Sequence, residues 1–307
     1  MSNVLLTPQL IAQQALATLY ESLVMVPLVY TDISSEFTTQ KIGNTINIRK
    51  PAVFTANKFV QGGGIILQDA VEGNVPVTLN QLADTSFSVS SQELTTSIVN
   101  FDEQFLTPAC MALAEQIDRD ILGLRSGITQ TVGVAGGLNV AAYTAPEVLI
   151  DAGRVLDLAK VPQDGRSFVS GPITKANFLN SPTIKYVMNS GDNEALRRAS
   201  IGENLFNFDA YQTQNVKAPA STPAPGSGLP TTEVGVAFHE TAFAFASAPL
   251  ELAPGSFASV QTYNGISIRV AYQYDINQKK TIVSLDTLYG VTVLDANRAC
   301  LVQGALA

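Results

Sequence analysis

The stretch KIGNTINIRKP, residues 41–51, decides how the chain is read. Ile46 and Ile48 alternate with Asn47 and Arg49, the period of a strand with one apolar and one polar face. Pro51 keeps the residues beyond it out of a central strand, because proline brings no amide hydrogen to a ladder. The stretch is also basic. Lys41, Arg49 and Lys50, with Lys58 just beyond, are four of the eighteen basic residues, and no Asp or Glu occurs between Glu36 and Asp69. A positive island in a chain of net charge −8 needs a partner: nucleic acid, a phosphate ligand, or an acidic surface on another copy.

Working outward, Val75, Val77 and Leu79 alternate again, as do Phe87 and Val89, and Gly62, Gly63 and Gly64 supply a flexible bend between. The simplest account is a two-stranded ribbon over 43–90. A lone ribbon is marginally stable in water, so it must lie against something, and no local core is evident. Upstream, Thr7-Pro8 reads as a helix N-cap and first-turn proline, with Ile11, Ala15, Leu19 and Leu23 recurring every fourth residue. Downstream, 101–125 is the clearest helix, striped by Phe105, Ala109, Leu113, Ile117 and Ile121, with Pro108 early enough to be tolerated. Glu115, Asp118 and Asp120 are expected to face outward with only Arg119 to offset them. Together with Glu93, Asp102 and Glu103 they make this region about as acidic as 41–58 is basic.

The Gly-rich segment 126–142 reads as a connector, and Thr144-Ala-Pro-Glu147 as a capping box with Glu147 at the third helical position. A helix to Val161-Pro162, a turn at Asp164-Gly165, a strand over 166–170 and a short helix from Pro172 through Phe178 suggest an α/β unit. KAPASTPAPGSGLPTTE, 217–233, is the one low-complexity stretch and reads as an exposed loop. Asn264-Gly265 is a strong two-residue hairpin signal, followed by alternating Ile266, Ile268, Val270 and Tyr272. Two short strands, 281–285 and 291–294, close the pattern, and there is no internal repeat.

At 307 residues and 46% hydrophobic the chain can bury a sizeable core in two or so domains. Its acidic balance argues against a nucleic-acid reader. Cys110 and Cys300 are too few and too far apart for a disulfide framework or a zinc site, and fit a reducing compartment. The first basic residue is Lys41, so the N-terminus lacks the charged start of a signal peptide, and the uncharged run 126–146 is too polar and Gly-rich to span a membrane. A soluble cytoplasmic product is expected.

No constellation points to catalysis. His239 is the only histidine, and no nucleophile-elbow pattern accompanies it. The triple glycine lacks the Gly-Lys-Ser/Thr of a phosphate loop, and Gly133-Val-Ala-Gly136-Gly137 misses the dinucleotide spacing. Acidic pairs such as Asp102/Glu103 and Asp118/Asp120 have no calcium-loop spacing and read as solvated helix faces. Arg49, Lys50 and Lys58 have only Phe54 and Phe59 nearby as stacking aromatics for a nucleic acid. No cofactor, no metal and no enzyme activity are expected.

Taken in order, several words resemble the major capsid (coat) proteins of tailed bacteriophages, in the subgroup typified by the coat protein of a short-tailed Salmonella phage. Asn3-Val-Leu-Leu-Thr-Pro8 with its helix resembles that subgroup's N-terminal arm, and KIGNTINIRKP the start of its extended loop. SSQEL (90–94) through FDEQFLTPA (101–109) resembles the approach to its long spine helix; IGENLFNFDAYQTQN (201–215) resembles part of its axial domain, and GVTVLD (290–295) its C-terminal return strand. The resemblance implies an α+β fold of the Hong Kong 97 type: N-terminal arm 1–42, extended loop 43–90, peripheral domain 91–145 and 259–307 with the spine helix, and axial domain 146–258. The β-rich insertion domain of those relatives is missing, its place taken by the loop at 217–233.

It further implies a structural protein that self-assembles, through hexamers and pentamers, into an icosahedral shell in the host cytoplasm. The implied partners are a scaffolding protein, a portal protein and packaged double-stranded DNA held without sequence preference, with no membrane; whether a decoration protein binds is left open. The extended loop would lie across an adjacent subunit. The charges supply a reason, with Lys41, Arg49, Lys50 and Lys58 meeting Asp102, Glu103, Glu115 and Asp118 of a neighbour. Some relatives cross-link a loop lysine to an asparagine; Lys58 or Lys50 with Asn297 would be the pair here, without motif support. The alternatives are an encapsulin-like compartment shell and, from another class, a cytoplasmic α/β enzyme using His239.

Overall fold

The structure, a computed structural model, describes residues 8–32, 43–50, 54–58, 61, 67–69, 72–92, 102–133, 145–182, 205–216, 233–252 and 255–302. Thr7, Lys41, the three glycines at 62–64, Glu93, Thr144 and the stretch 217–232 lie outside the described residues, as does most of the 126–142 connector.

Helix α1 (Pro8–Ser22) is followed by strands β1 (Thr45–Lys50), β2 (Gly73–Thr78) and β3 (Gln81–Ser90). A π-helical turn, Asp102–Leu106, leads into α2 (Thr107–Gly123), then β4 (Thr131–Val132), α3 (Val148–Leu158), β5 (Arg166–Ser170) and α4 (Pro172–Asn180). The remaining strands are β6 (Asp209–Gln212), β7 (Gly235–His239), β8 (Phe243–Ala248), β9 (Phe257–Tyr263), β10 (Ile266–Asp275), β11 (Lys280–Val293) and β12 (Ala299–Val302).

Two five-stranded sheets carry the molecule. The first runs β3-β11-β10-β9, with β8 paired to the C-terminal half of β11. Its inner face, including Ile268, Val270, Val283 and Leu285, packs under α1 and α2 through Ala15, Leu19, Leu113, Ile117 and Ile121. Burying each of the large side chains stabilises by about 1.5–3 kcal/mol. The second sheet runs β4-β12-β7-β5-β6. It gathers Phe168, Ala237, Cys300 and Val302 with Val148, Leu149, Ala152 and Leu156 of α3, and Phe178 of α4 stacks on Phe168 at 5.9 Å.

Among the described residues the ribbon is made of β1 and β2 alone, antiparallel, with Ile46 opposite Val77 and Ile48 opposite Val75. Pro76 is tolerated because both strands of a two-stranded ribbon are edges. The ribbon ends at Thr78 and not near 90: β3 pairs along its whole length with β11, nearly 200 residues further on. The ribbon does find a core. Ile46, Val77 and Leu79 are buried against Ala244 and Ala246 of β8, and the Leu79 amide donates to Asn44 O at 2.8 Å.

Other expectations are also corrected. The two short strands of 281–285 and 291–294 are one fourteen-residue strand, β11. The polar residues that interrupt its apolar pattern are matched: Asp286 accepts from Arg269 at 2.9 and 2.5 Å, and the Thr287 hydroxyl donates to Ser267 O at 2.7 Å. Glu147 stands just before α3, in a turn where the Leu149 amide donates to Pro146 O. Glu233 is not an exposed loop residue. It is buried, and its carboxylate accepts from the Ile173 and Thr174 amides at 3.2 and 3.1 Å, capping α4.

The Asn264-Gly265 turn forms as read, with φ of 47° and 78° and β9 paired antiparallel to β10. Two successive positive φ values are the signature of a type I′ turn. Gly265→Ala forces a Cβ into the left-handed region, at about 1–2 kcal/mol. We expect the unfolding free energy from urea titration to fall by that amount; an unchanged value would mean that the turn is not held in this conformation.

Candidate functional site

The features that set this molecule apart from a plain two-sheet protein are the projecting ribbon and the acidic helix α2. The ribbon's apolar face, Ile46 and Ile48 with Val75 and Val77, is buried at its base and loses cover outward: Val77 is fully buried, while Gly73 and Asn74 are exposed. Arg49 is exposed on the opposite face, Lys50 is half-buried at the end of β1, and Lys58 is exposed beyond it. None of the three forms an ion pair with another described residue, and Lys41 lies outside the described residues. Cations without an ion-pair partner among the described residues thus stand where the ribbon loses its cover.

The acidic set of α2 divides. Asp102 and Glu103 lie in the π-helical turn before the helix, and their side chains are outside the described residues. Glu115 is exposed and pairs with Arg119 one helical turn on. Asp120 accepts from the Tyr289 hydroxyl at 2.5 Å and from Gln116 Nε2 at 3.1 Å, tying α2 to β11. Burial, together with that contact, pushes the Tyr289 hydroxyl well above its ordinary pKa.

Asp118 does not face outward. It is 1% exposed, and its carboxylate accepts from the Val24 amide at 3.1 Å and the Met25 amide at 3.0 Å, just after α1. Burial pushes its pKa up to about 6, while the two backbone donors pull the other way. Asp118 therefore fastens the N-terminal segment to α2 within the subunit and is not available to a neighbour's ribbon.

The groups weighed for catalysis are engaged structurally. His239 Nδ1 accepts from the Thr241 amide at 3.2 Å and lies 2.8 Å from the Thr241 hydroxyl, closing the turn Glu240–Ala242. Burial holds its pKa below the usual histidine value, with Arg298 and Arg166 acting in the same direction and Glu240 opposing. Cys110 and Cys300 are buried, and burial raises both thiols to about 12, so neither is a ready nucleophile. Among the described residues no cluster of three His, Cys, Asp or Glu is placed to hold a metal, and no helix is long and apolar enough to cross a membrane. Sequence reading missed Arg166, which is buried, donates to Pro162 O and Val161 O, and pairs with Asp157 at 2.6 Å. That arrangement pins the turn leading into β5.

No family model and no curated protein matches the chain. Solved structures do. A chain of Mycobacterium phage Che8 superposes with a TM-score of 0.67 at 18% identity, covering 91% of this chain and 90% of that one. A chain of the capsid structure of the Cyanophage P-SCSP1u gives 0.63 at 11% identity, covering 91% and 87%. A chain of the asymmetric unit of the bacteriophage PhiM1 mature capsid gives 0.54 at 16%, covering 87% and 83%. Identities this low carry the fold and nothing finer. The chain has the α+β fold of the Hong Kong 97 type that these phage capsid chains share.

Proposed function

We propose that the chain is a structural major capsid protein, which self-assembles into an icosahedral shell enclosing a viral genome. The observation that carries this reading is the ribbon: a two-stranded arm seated at its base and bearing, at its outer end, cations with no ion-pair partner among the described residues, on a fold shared with phage capsid chains. Such an arm has little use in a monomer. In a shell it would lie across the next subunit, through hexamers and pentamers, in a virion assembled in the host cytoplasm. Within that reading 1–42 serves as the N-terminal arm, the extended loop starts at 43, the peripheral domain takes 91–145 and 259–307, and the axial domain takes 146–258. The ordered sequence words support placement with the coat-protein subgroup of the short-tailed Salmonella phage. A scaffolding protein, a portal protein and packaged double-stranded DNA follow as partners, and whether a decoration protein binds is left open.

The cations of the ribbon, Lys41, Arg49, Lys50 and Lys58, would meet Glu115, Asp102 and Glu103 of the neighbour, with Asp118 removed from the set by its burial. Exposed pairs contribute only ~0–1 kcal/mol each, so they select register and partner, while apolar burial repeated at every contact supplies the affinity. Arg49→Glu with Lys50→Glu should weaken the contact by about 1–2 kcal/mol, roughly 5- to 30-fold in its equilibrium constant. Assembly of the variant should need more protein and lose its dependence on salt. Glu115→Lys should restore part of the loss. Unchanged assembly and unchanged salt dependence would remove the ribbon charges from the mechanism. Nucleic acid inside purified particles supports the virion; particles that hold only protein cargo would favour a compartment shell.

A further inference from the structure

The edge strands of the described sheets are protected in ways that prevent stray pairing, with one exception. β1 carries Arg49 and Lys50, β2 carries Pro76, β3 carries Asp84, β6 carries Asp209, and β4 is two residues long. The edge of β8 is met by Tyr30, whose amide donates to Phe243 O and whose carbonyl accepts from the Phe245 amide. Charges, prolines, short length and cover are the usual defences of a sheet edge. β9, FASVQTY, is seven residues long, uncharged and without proline. Helix α1 lies against it, with Tyr20 edge-on to Tyr263 at 5.4 Å, but no strand pairs with its outer side among the described residues. None of its residues is buried, and Phe257 and Tyr263 at its two ends are 64% and 55% exposed.

The order of residues in β9 is self-complementary. In an antiparallel pair of two copies centred on Val260, Phe257 stands opposite the second copy's Tyr263 and Ser259 opposite its Gln261. Ala258 then faces Thr262 of the second copy, and Val260 faces its own counterpart. Aromatic meets aromatic at both ends, small polar meets polar inside, and no charge opposes another. Each such cross-strand pair favours the contact modestly, and the edge gains a full set of backbone hydrogen bonds. A two-fold contact of this kind needs one patch that matches itself.

We propose that β9 is a docking edge for β9 of a second copy, joining two first sheets into one continuous ten-stranded sheet across a two-fold axis. The occupant is a second copy, because the strand's sequence complements itself and carries no charge to select a different partner. The contact is distinct from the ribbon and does not depend on its charges.

The test is a cysteine scan of the edge in the full chain. The native thiols are buried, so an introduced one is the reactive site. Val260→Cys places two Cα atoms directly opposite, within the roughly 4.4–6.8 Å a disulfide spans. Ala258→Cys places its two copies four residues apart along the ladder, roughly 13 Å, beyond that reach. Under mild oxidant, Val260→Cys should move the non-reducing gel band to twice 32.6 kDa. Ala258→Cys should stay at the single mass, and a mixture of Ala258→Cys with Thr262→Cys should cross-link. Both fast- and slow-sedimenting fractions are assayed. Val260→Cys left uncross-linked in both, with its thiol open to a maleimide, would overturn the proposal, as would equal cross-linking at 258 and 260. Cross-linked dimers without shells would keep this contact and sink the shell reading; shells without the cross-link would do the reverse.

Discussion

Gly290→Val should detach the ribbon and abolish assembly. A Cβ on Gly290 would lie 2.1 Å from Thr78 O and 2.7 Å from Thr78 C, with Leu79 Cα at 3.2 Å. All three are backbone atoms, so no side chain can swing aside to make room. The chain from β2 to β3 crosses β11 directly on this glycine. Moving it far enough would break the Leu79–Asn44 hydrogen bond and lift Val77 and Leu79 from their seat on Ala244 and Ala246. Strain from overpacking costs about 1–3 kcal/mol, and unseating two buried aliphatic side chains adds about 3–6 kcal/mol. Even partial relief leaves a loss of several kcal/mol, a large share of an ordinary domain's stability. The expected readings are a lower urea midpoint and no fast-sedimenting material. Gly123 provides the contrast: it lies in α2 with nothing within 4 Å of an added Cβ, so Gly123→Ala should be neutral or stabilise by about 0.4–1 kcal/mol. Assembly of Gly290→Val at wild-type yield would show that the ribbon does not need its seat.

Asp118→Ala should free the N-terminal segment from α2. It leaves the Val24 and Met25 amides without their acceptor, in a place where Met25 and Val26 are buried. A buried donor left unsatisfied costs about 1–3 kcal/mol, so a loss near ~3 kcal/mol is expected at low pH, where the carboxyl is neutral. Its pH dependence runs opposite to that of a salt-bridged carboxylate. The folded pKa of about 6 lies above the ordinary aspartate value of 3.8, so the native state holds the proton more tightly. The stability from this site is fully present below about pH 4 and falls as pH rises through about 6, by as much as roughly 3 kcal/mol. The gap in urea midpoint between wild type and Asp118→Ala should therefore narrow from about pH 4.5 to about pH 7. A gap that widens would mean that the two amides outweigh burial and hold the carboxylate ionised.

Much of this is legible in the sequence. The period of 3.6 over 11–23 and 105–121 places both helices, and alternation places the ribbon strands and the Asn264-Gly265 hairpin. Local patterns cannot show which distant strand completes a sheet, so alternation alone joins β3 to the ribbon when its partner is β11. Asp286 and Thr287 make β11 look broken because their partners, Arg269 and Ser267, come from a neighbouring strand. The burial of Asp118 has a sequence signal: with Ala114 and Leu122 it lies at four-residue spacing on the buried face of α2. A carboxylate by itself points to solvent, and that expectation hides the spacing. Of the candidate site, the cations of 41–58 are evident from charge alone. The seat on Gly290 is not, since it rests on a missing side chain.

That this chain builds a closed shell is tested most directly by sedimentation velocity of the protein, expressed alone and with any co-encoded scaffold, followed by negative-stain imaging of the fast fraction. Closed shells or capsomer rings in that fraction are the predicted result. A monomer or dimer under both conditions, with no larger species, would contradict it.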